Sequence, residues 1–227
     1  SIAYFGDEYY NNNGGYDYFV LRYSPDGSVN HVEVDGDIGN DYINSIDIDK
    51  SGNINLAIAS DSDSLIFGSN VVRNNGMSDM FLAQYNLNFE NKWAISIGGL
   101  NNDIISGIKT DNLGNIFIAG SFLSNEIVIH EDTVKKSGSY DIFVAKFRSN
   151  GDYCWMQSSV GISSDNANTI DVDNNSNVYI SGHFKSSELS FGDFKILNNG
   201  SNDVYIAKFD SIGEIKWINN LGGTDDE

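Results

Sequence analysis

A spacing of 62 residues that recurs without change is the feature that most constrains the fold of this chain. Each copy carries a Gly-x-x-Asp step, followed at once by an apolar run such as Asp-Ile-Phe-Val-Ala-Lys-Phe. The four aspartates are Asp17, Asp79, Asp141 and Asp203, with no insertion or deletion between copies. A fixed period in this range predicts a repeat architecture, in which one supersecondary unit recurs and neighbouring units bury each other.

Alignment at this period predicts four main strands in each unit. The first strand alternates between apolar and polar residues, at 44–49, 106–111 and 168–173. The third is apolar on both faces, with Phe143 on one and Val144 on the other, which is typical of a strand buried on both sides. Between the second and third strands the chain makes an excursion that contains one short apolar piece.

Aromatic residues that recur four apart on the third strand predict its core positions. They are Phe19, Phe81, Phe143, Tyr205, Tyr23, Tyr85, Phe147 and Phe209. The first and second strands are joined by turns in which Asp49, Asp111 and Asp173 can accept hydrogen bonds from backbone N–H groups. Gly52 and Gly114 supply the left-handed conformation in two of these turns, and Ser176 replaces the glycine in the third.

Antiparallel four-strand units with apolar faces need a neighbour on each side, which radial stacking of blades provides. We therefore predict an all-β fold, a β-propeller of four-stranded antiparallel blades with three complete 62-residue units and a partial blade. A β-solenoid is disfavoured because a 62-residue coil would be unusually long. The predicted units are 1–41, the outer part of a blade, and the full blades 42–103, 104–165 and 166–227.

We expect a piece of a larger propeller, in which another segment covers the unpaired strand edges. The alternative is a complete chain that closes with a second copy or a partner subunit.

Two segments resemble a known repeat. Gly-Gly-Leu-Asn-Asn-Asp at 98–103, followed by Asp-x-x-Gly-Asn-Ile-Phe-Ile-Ala-Gly-Ser at 111–121, resembles the bacterial seven-bladed β-propeller (SBBP) repeat, and so does the Gly-x-x-Asp segment at 138–147 with Trp155 beyond it. The resemblance recurs over nearly the whole chain. Ser176 and Phe89 depart from it at glycine positions. It implies a propeller that is secreted or attached to a cell surface. It does not identify a catalytic residue, because the shared motif positions are those of turns and packing.

Composition limits the class of partner. The net charge is -19, so no basic patch is available to displace counterions from nucleic acid or to bind an anionic membrane. No apolar stretch approaches the roughly 18 residues of a membrane-spanning helix. A single cysteine excludes an internal disulfide bond.

Few residues point to a specific chemistry. The segment Asp47-x-Asp49-x-Ser51-Gly52 resembles the start of a calcium loop, but a hairpin turn explains it better, because Lys109 and Leu113 occupy two of the would-be ligand positions in the next copy. Asp171, Asp173 and Asn175 keep oxygen ligands at all three positions, so they form the alternative Ca²⁺ site beside the reading that no metal or cofactor is bound. His183 ends a second strand and is the candidate binding residue. No nucleophile or phosphate-binding motif is present.

These observations favour a non-enzymatic extracellular or cell-surface scaffold that presents loops to a protein or a glycan. Two alternatives stay open. The first is the propeller domain of a secreted hydrolase or lyase, because propeller enzymes collect polar residues from different blades. The second is a structural spacer stiffened by calcium. Further blades of the same parent chain, or a partner subunit, are expected to pack on the ends.

Overall fold

The computed structural model describes residues 2–5 and 8–225, and every regular element in those ranges is a β-strand. Ser1 and positions 226–227, at the ends of the outermost predicted units, lie outside the described residues. Within 2–5 and 8–225 there is no helical segment with the length and hydrophobicity needed to cross a membrane.

The strands fall into one half-blade and three full blades. A first hairpin, β1 (Ile2–Phe5) and β2 (Glu8–Asn11), precedes blade 1, which consists of β3 (Tyr18–Tyr23) and β4 (Val29–Asp35). Blade 2 contains β5 (Asp41–Ile48), β6 (Ile54–Ser60), the hairpin β7 (Ser64–Phe67) and β8 (Asn70–Arg73), β9 (Asp79–Tyr85) and β10 (Asn91–Ile97). Blade 3 contains β11 (Asp103–Thr110), β12 (Ile116–Phe122), the hairpin β13 (Glu126–Ile129) and β14 (Asp132–Lys135), β15 (Asp141–Phe147) and β16 (Tyr153–Ser158). Blade 4 contains β17 (Asp165–Val172), β18 (Val178–Phe184), the hairpin β19 (Glu188–Phe191) and β20 (Phe194–Leu197), β21 (Asp203–Phe209) and β22 (Ile215–Leu221).

Each full blade is a four-stranded antiparallel sheet in simple up-and-down order, for example β11-β12-β15-β16. The register is the same in each blade: Ile58 pairs with Phe81 in blade 2, and Gly120 with Phe143 in blade 3. The predicted all-β fold of repeated four-stranded blades is therefore confirmed.

The excursion between the second and third strands differs from its prediction. We expected one short apolar piece, and the structure has a two-stranded hairpin at each place. Its first strand buries alternate residues such as Leu65 and Phe67, whereas its second strand is mostly exposed. The second strand was missed although it packs single apolar residues such as Ile196 and Val72 against the core.

The core lies between the blades. One cluster joins Ile142 and Val144 of blade 3 to Ile170 of blade 4, and another joins Phe143 to Leu82 of blade 2. The third strand therefore sends neighbouring residues into two different junctions, as its apolar pattern predicts. A third cluster packs β3 of blade 1 on blade 2.

Phe19 and Tyr23 correct the predicted aromatic core. Phe81, Phe143 and Tyr205 are fully buried, but Phe19 and Tyr23 are more than half exposed. Residues at these positions face the preceding blade, and no described blade precedes blade 1. The burial of a repeat position thus depends on the neighbouring unit.

The turns form as expected. Asp111 accepts hydrogen bonds from the N–H groups of Leu113 and Asn115, both at 2.9 Å. Gly52 and Gly114 have φ values of 83° and 79°. Ser176 and Phe89 take φ values of 59° and 61°, so each holds a left-handed conformation that costs a non-glycine residue free energy.

Candidate functional site

The two ends of the blades differ in their connections. One end carries only tight hairpin turns. The other end carries the loops from the fourth strand of one blade to the first strand of the next, at 36–40, 98–102 and 160–164. We call this second surface the loop face.

Three aliphatic side chains stand at the tips of the loop face. Ile38, Leu100 and Ile162 occupy the same repeat position, and they are between 76 % and 82 % exposed. Met77 and Ile104 add further exposed apolar surface between blades 2 and 3. A single exposed apolar residue needs no explanation, but one that recurs at the same loop position in successive blades makes this surface a candidate interaction site.

The glycine of each Gly-x-x-Asp step holds a tip loop in place by close backbone approach. A Cβ atom added to Gly76 would collide with the carbonyl oxygen of Gly99 and with the backbone of Leu100. Gly14 meets the Ile38 backbone in the same way, and Gly138 that of Ile162. Only glycine fits where two backbones approach so closely.

A buried aspartate fixes each loop from below. Asp103 Oδ2 accepts hydrogen bonds from Gly99 N (2.8 Å) and Ser124 Oγ (2.6 Å), and its Oδ1 accepts from Leu123 N and Ser124 N, both at 3.0 Å. Ser124 Oγ in turn accepts from Asn101 N (2.9 Å). We call this arrangement the Asp-Ser latch. It recurs as Asp165 with Ser186 and as Asp41 with Ser62.

In the aspartate of the Gly-x-x-Asp step, one carboxylate oxygen accepts a hydrogen bond and the other has no partner among the described residues. Asp79 Oδ2 accepts from Asn75 N (2.6 Å), whereas Asp79 Oδ1 is buried without a hydrogen-bond partner in the described structure. The equivalent oxygens of Asp17, Asp141 and Asp203 share this state. Gly98 lies between Asp79 Oδ1 and Asp103 Oδ2, so two carboxylates face one another across the junction.

Burial raises the pKa of Asp79 to about 6, opposed by the hydrogen bond from Asn75 N and assisted by the charge of Asp103. Burial also raises the pKa of Asp141, which is placed in the same way beside Asp165. The folded chain therefore binds these protons more tightly than the unfolded chain does.

The raised pKa predicts a pH-dependent effect of Asp79→Asn. Between about pH 4 and pH 6 the folded wild type loses stability as pH rises, because Asp79 must ionise while buried, and asparagine does not ionise. The stability difference, variant minus wild type, should therefore increase by about 2 kcal/mol from pH 4 to pH 8. Urea unfolding at both pH values measures it. The control is Asp193→Asn, which changes a carboxylate at an exposed turn; an equal pH-dependent difference there would contradict the assignment to Asp79.

A pocket of about 390 Å³ opens on the loop face between blades 2 and 3. Its lining includes Met77, Ser78, Asn102, Ile104 and Tyr140, with Asp61 at its edge. The pocket thus joins an apolar floor to polar and acidic walls on the loop face.

The structure places His183 near the loop face, at the end of β18, where it pairs with Asn166 just after the loop 160–164. Its Nδ1 lies 3.0 Å from Asn168 Oδ1 and its Nε2 3.4 Å from Asn166 Nδ2. In blade 3 the equivalent Ser121 accepts a hydrogen bond from Ala167 N of the next blade (3.1 Å). His183 therefore occupies a junction position.

The candidate calcium residues lie in and beside the turn between β17 and β18. Asp173 Oδ1 accepts from Asn175 N and Asn177 N, and its Oδ2 accepts from Asn177 Nδ2 and Tyr179 OH. The hydrogen bond from the Asn177 side chain is the main reason that the pKa of Asp173 falls to about 2. Asp171 lies on the exposed side of β17. Within the described part of the chain, no three His, Cys, Asp or Glu side chains come together as a metal-binding group.

Two tryptophans of the fourth strands contact the next blade at the blade junctions. Trp93 Nε1 donates to Ser149 O of the next blade, and Trp155 Nε1 donates to Ser211 O, both at 3.2 Å. A Cβ added to Gly151 would clash with the Trp93 ring, so this turn lies against the indole. Blade-to-blade packing therefore accounts for the tryptophans of blades 2 and 3.

Sequence reasoning missed the aliphatic tips. The available signal was the recurrence of Ile38, Leu100 and Ile162 at 62-residue spacing, in loops bordered by glycine and aspartate.

Comparisons with known proteins agree with the fold. Residues 6–31 match a β-propeller family described as a domain of unknown function (DUF5122). The chain is 23 % identical over 174 residues to the uncharacterized WD repeat-containing protein L264 of Acanthamoeba polyphaga mimivirus, which covers 66 % of this chain and 12 % of that protein. WD repeats form propeller blades. The chain is thus a β-propeller repeat protein that spans a small part of this relative's length.

Proposed function

We propose that this chain is a non-enzymatic scaffold that binds a protein partner through the loop face. The observation that carries the proposal is the triple recurrence of an exposed aliphatic tip, Ile38, Leu100 and Ile162, on loops fixed by buried latches. Rigid presentation lowers the entropy lost on binding, so apolar side chains on such loops suit a protein interface.

The charge of the chain indicates the partner's chemistry. The net charge is -19, and the exposed Asp61 lines the pocket between blades 2 and 3 on this face. A partner surface with apolar side chains bordered by lysine and arginine would complement this face and associate faster at low salt.

The roles of the polar groups support a binding function over catalysis and over glycan recognition. The buried carboxylates of the latches accept hydrogen bonds from loop backbone, which is a structural task. Trp93 and Trp155 are half-buried against the neighbouring blade, which leaves their rings poorly placed to stack on sugars.

The location and the repeat class are part of the proposal. An extracellular or cell-surface location, and membership of the SBBP class, rest on the resemblance of 98–121 and 138–147 to that repeat. Protease treatment of intact source cells tests the location: the protein should be degraded, and its survival would contradict surface exposure.

A peptide-binding experiment tests the loop face. A phage-displayed random peptide library is selected on the immobilised chain, and enriched peptides are measured by fluorescence polarisation. We expect aliphatic or aromatic residues together with lysine or arginine. Leu100→Asp should weaken binding at least tenfold, because it removes a central apolar contact and places a hydrated carboxylate where an apolar side chain of the partner would pack.

The matched control is Leu113→Asp. Leu113 is as exposed as Leu100 but lies in a hairpin turn at the opposite end of blade 3, so this change should leave affinity unaltered. Equal loss in both variants, or peptides that bind Leu100→Asp as well as wild type, would refute the loop face as the binding surface.

A further inference from the structure

The first strand of blade 2 has an uncovered apolar face. Ile46 is 48 % exposed, whereas its repeat equivalents Ile108 and Ile170 are 2 % and 3 % exposed. The difference has a simple cause. β5 packs beside β11, and β11 packs beside β17, but no first strand lies beside β5 on its other side within the described residues. Ile48 is exposed on the same face.

The third strand of blade 1 has a free edge next to this face. In each full blade the third strand pairs with the second and the fourth, as β15 does with β12 and β16. β3 pairs with β4 alone among the described strands. Its second edge therefore presents unpaired N–H and C=O groups, which are a template for an added strand. Tyr18 and Val20 are already buried against blade 2, so β3 is held in place.

The complete junctions define what fits there. The inner half of each full blade is a hairpin of its first two strands, such as β5 and β6, and this hairpin meets the next blade. Side chains of β5 make three hydrogen bonds to the backbone of β11: Asn44 Nδ2 donates to Ile105 O (3.0 Å), Ile108 N donates to Ser45 Oγ (3.3 Å), and Thr110 N donates to Asp47 Oδ2 (2.8 Å).

The same backbone groups exist on β5. At the 62-residue period, Ile105, Ile108 and Thr110 correspond to Ile43, Ile46 and Ile48. A hairpin with the pattern of β5 and β6 would therefore present an amide, a hydroxyl and a carboxylate to the backbone of β5, and its apolar residues to Ile46 and Ile48. Its outer strand would meet the free edge of β3.

We propose that the free edge of β3 and the uncovered face of β5 together form an acceptor site for a β-hairpin partner with the sequence pattern of residues 41–60. The outer strand of this hairpin pairs antiparallel with β3, and its inner strand covers Ile46 and Ile48. Recognition combines strand addition, which supplies main-chain hydrogen bonds, with side-chain contacts that set the register. This inference concerns a surface separate from the loop face and does not depend on the proposed function.

A labelled peptide tests the acceptor site. A fluorescein-labelled peptide of residues 41–60 is titrated with the 227-residue chain, and anisotropy is recorded. We expect saturable binding, weakened at least tenfold by Ile46→Asp and by Ile48→Lys in the protein. A peptide that carries Asp47→Ala should bind several-fold more weakly than the native peptide, because it loses the acceptor that meets β5.

The control is Ile66→Asp, an isoleucine of similar exposure on β7 of the same blade, which should not change peptide affinity. Unchanged thermal melting of each variant confirms that it folds. Absence of binding to the wild-type chain, or equal binding to the Ile46→Asp and Ile66→Asp variants, would overturn the proposal. So would a wild-type chain that dimerises in sedimentation and becomes monomeric on Ile46→Asp, since a second copy would then be the occupant.

Discussion

Asp103→Ala is expected to lower the free energy of unfolding by about 4 kcal/mol. Asp103 is buried and accepts three backbone N–H bonds and one hydroxyl bond in the latch below Leu100. Alanine leaves these donors without their acceptor at a buried position, and each buried donor that stays unpaired costs about 1–3 kcal/mol. Urea unfolding followed by the fluorescence of the junction tryptophans measures the loss.

Two variants make the result interpretable. Asp193→Ala removes an exposed carboxylate and should change stability by no more than about 0.5 kcal/mol. Asp103→Asn keeps the size of the side chain but lets only one of its two atoms accept, so its cost should fall between the two. If Asp103→Ala is no worse than Asp193→Ala, the latch does not stabilise the loop as described.

The strands and blade order could be predicted because the repeat supplies the same pattern several times. The first strand alternates between apolar and polar residues, and the third is apolar on both faces. When such patterns recur beside turn residues, they indicate β-strands. The left-handed backbone conformation of Ser176 and Phe89 could be predicted for the same reason, because glycines occupy the equivalent positions of other blades.

Burial could not be predicted wherever it depends on a neighbouring unit. Phe19 and Phe143 have the same residue type at the same repeat position, yet only Phe143 is buried. Ile46 and Ile108 differ in the same way. A periodic pattern identifies positions that another blade can cover, but the cover itself is a property of the packed structure.

The exposure of the aliphatic residues on the loop face could not be predicted from the sequence for a related reason. A recurrent aliphatic residue normally indicates core, and Ile38, Leu100 and Ile162 look like core residues by recurrence alone. Their exposure follows from the loop path, which the close approach of glycine and the latch together determine. The partner of Asp103 is also distant in sequence, at Ser124, so the latch becomes visible only when β11 and β12 are paired.

Phe143→Ala is expected to cost about 3–5 kcal/mol of stability, because a large buried ring is removed from the junction between blades 2 and 3. The neighbours cannot easily close the cavity. Gly120 lies under the ring on β12, and its backbone is fixed by pairing to β11 and β15. Thermal and urea unfolding should both show the loss.

The repeat provides its own control for this prediction. Phe19→Ala changes the same residue type at the same position of blade 1, where the ring is more than half exposed, and should cost less than about 1.5 kcal/mol. A similar loss in both variants would contradict the account, because it would mean that the position stabilises its own strand. A loss confined to Phe143→Ala would show that stability resides in the contact between blades, which is the physical basis of the repeat.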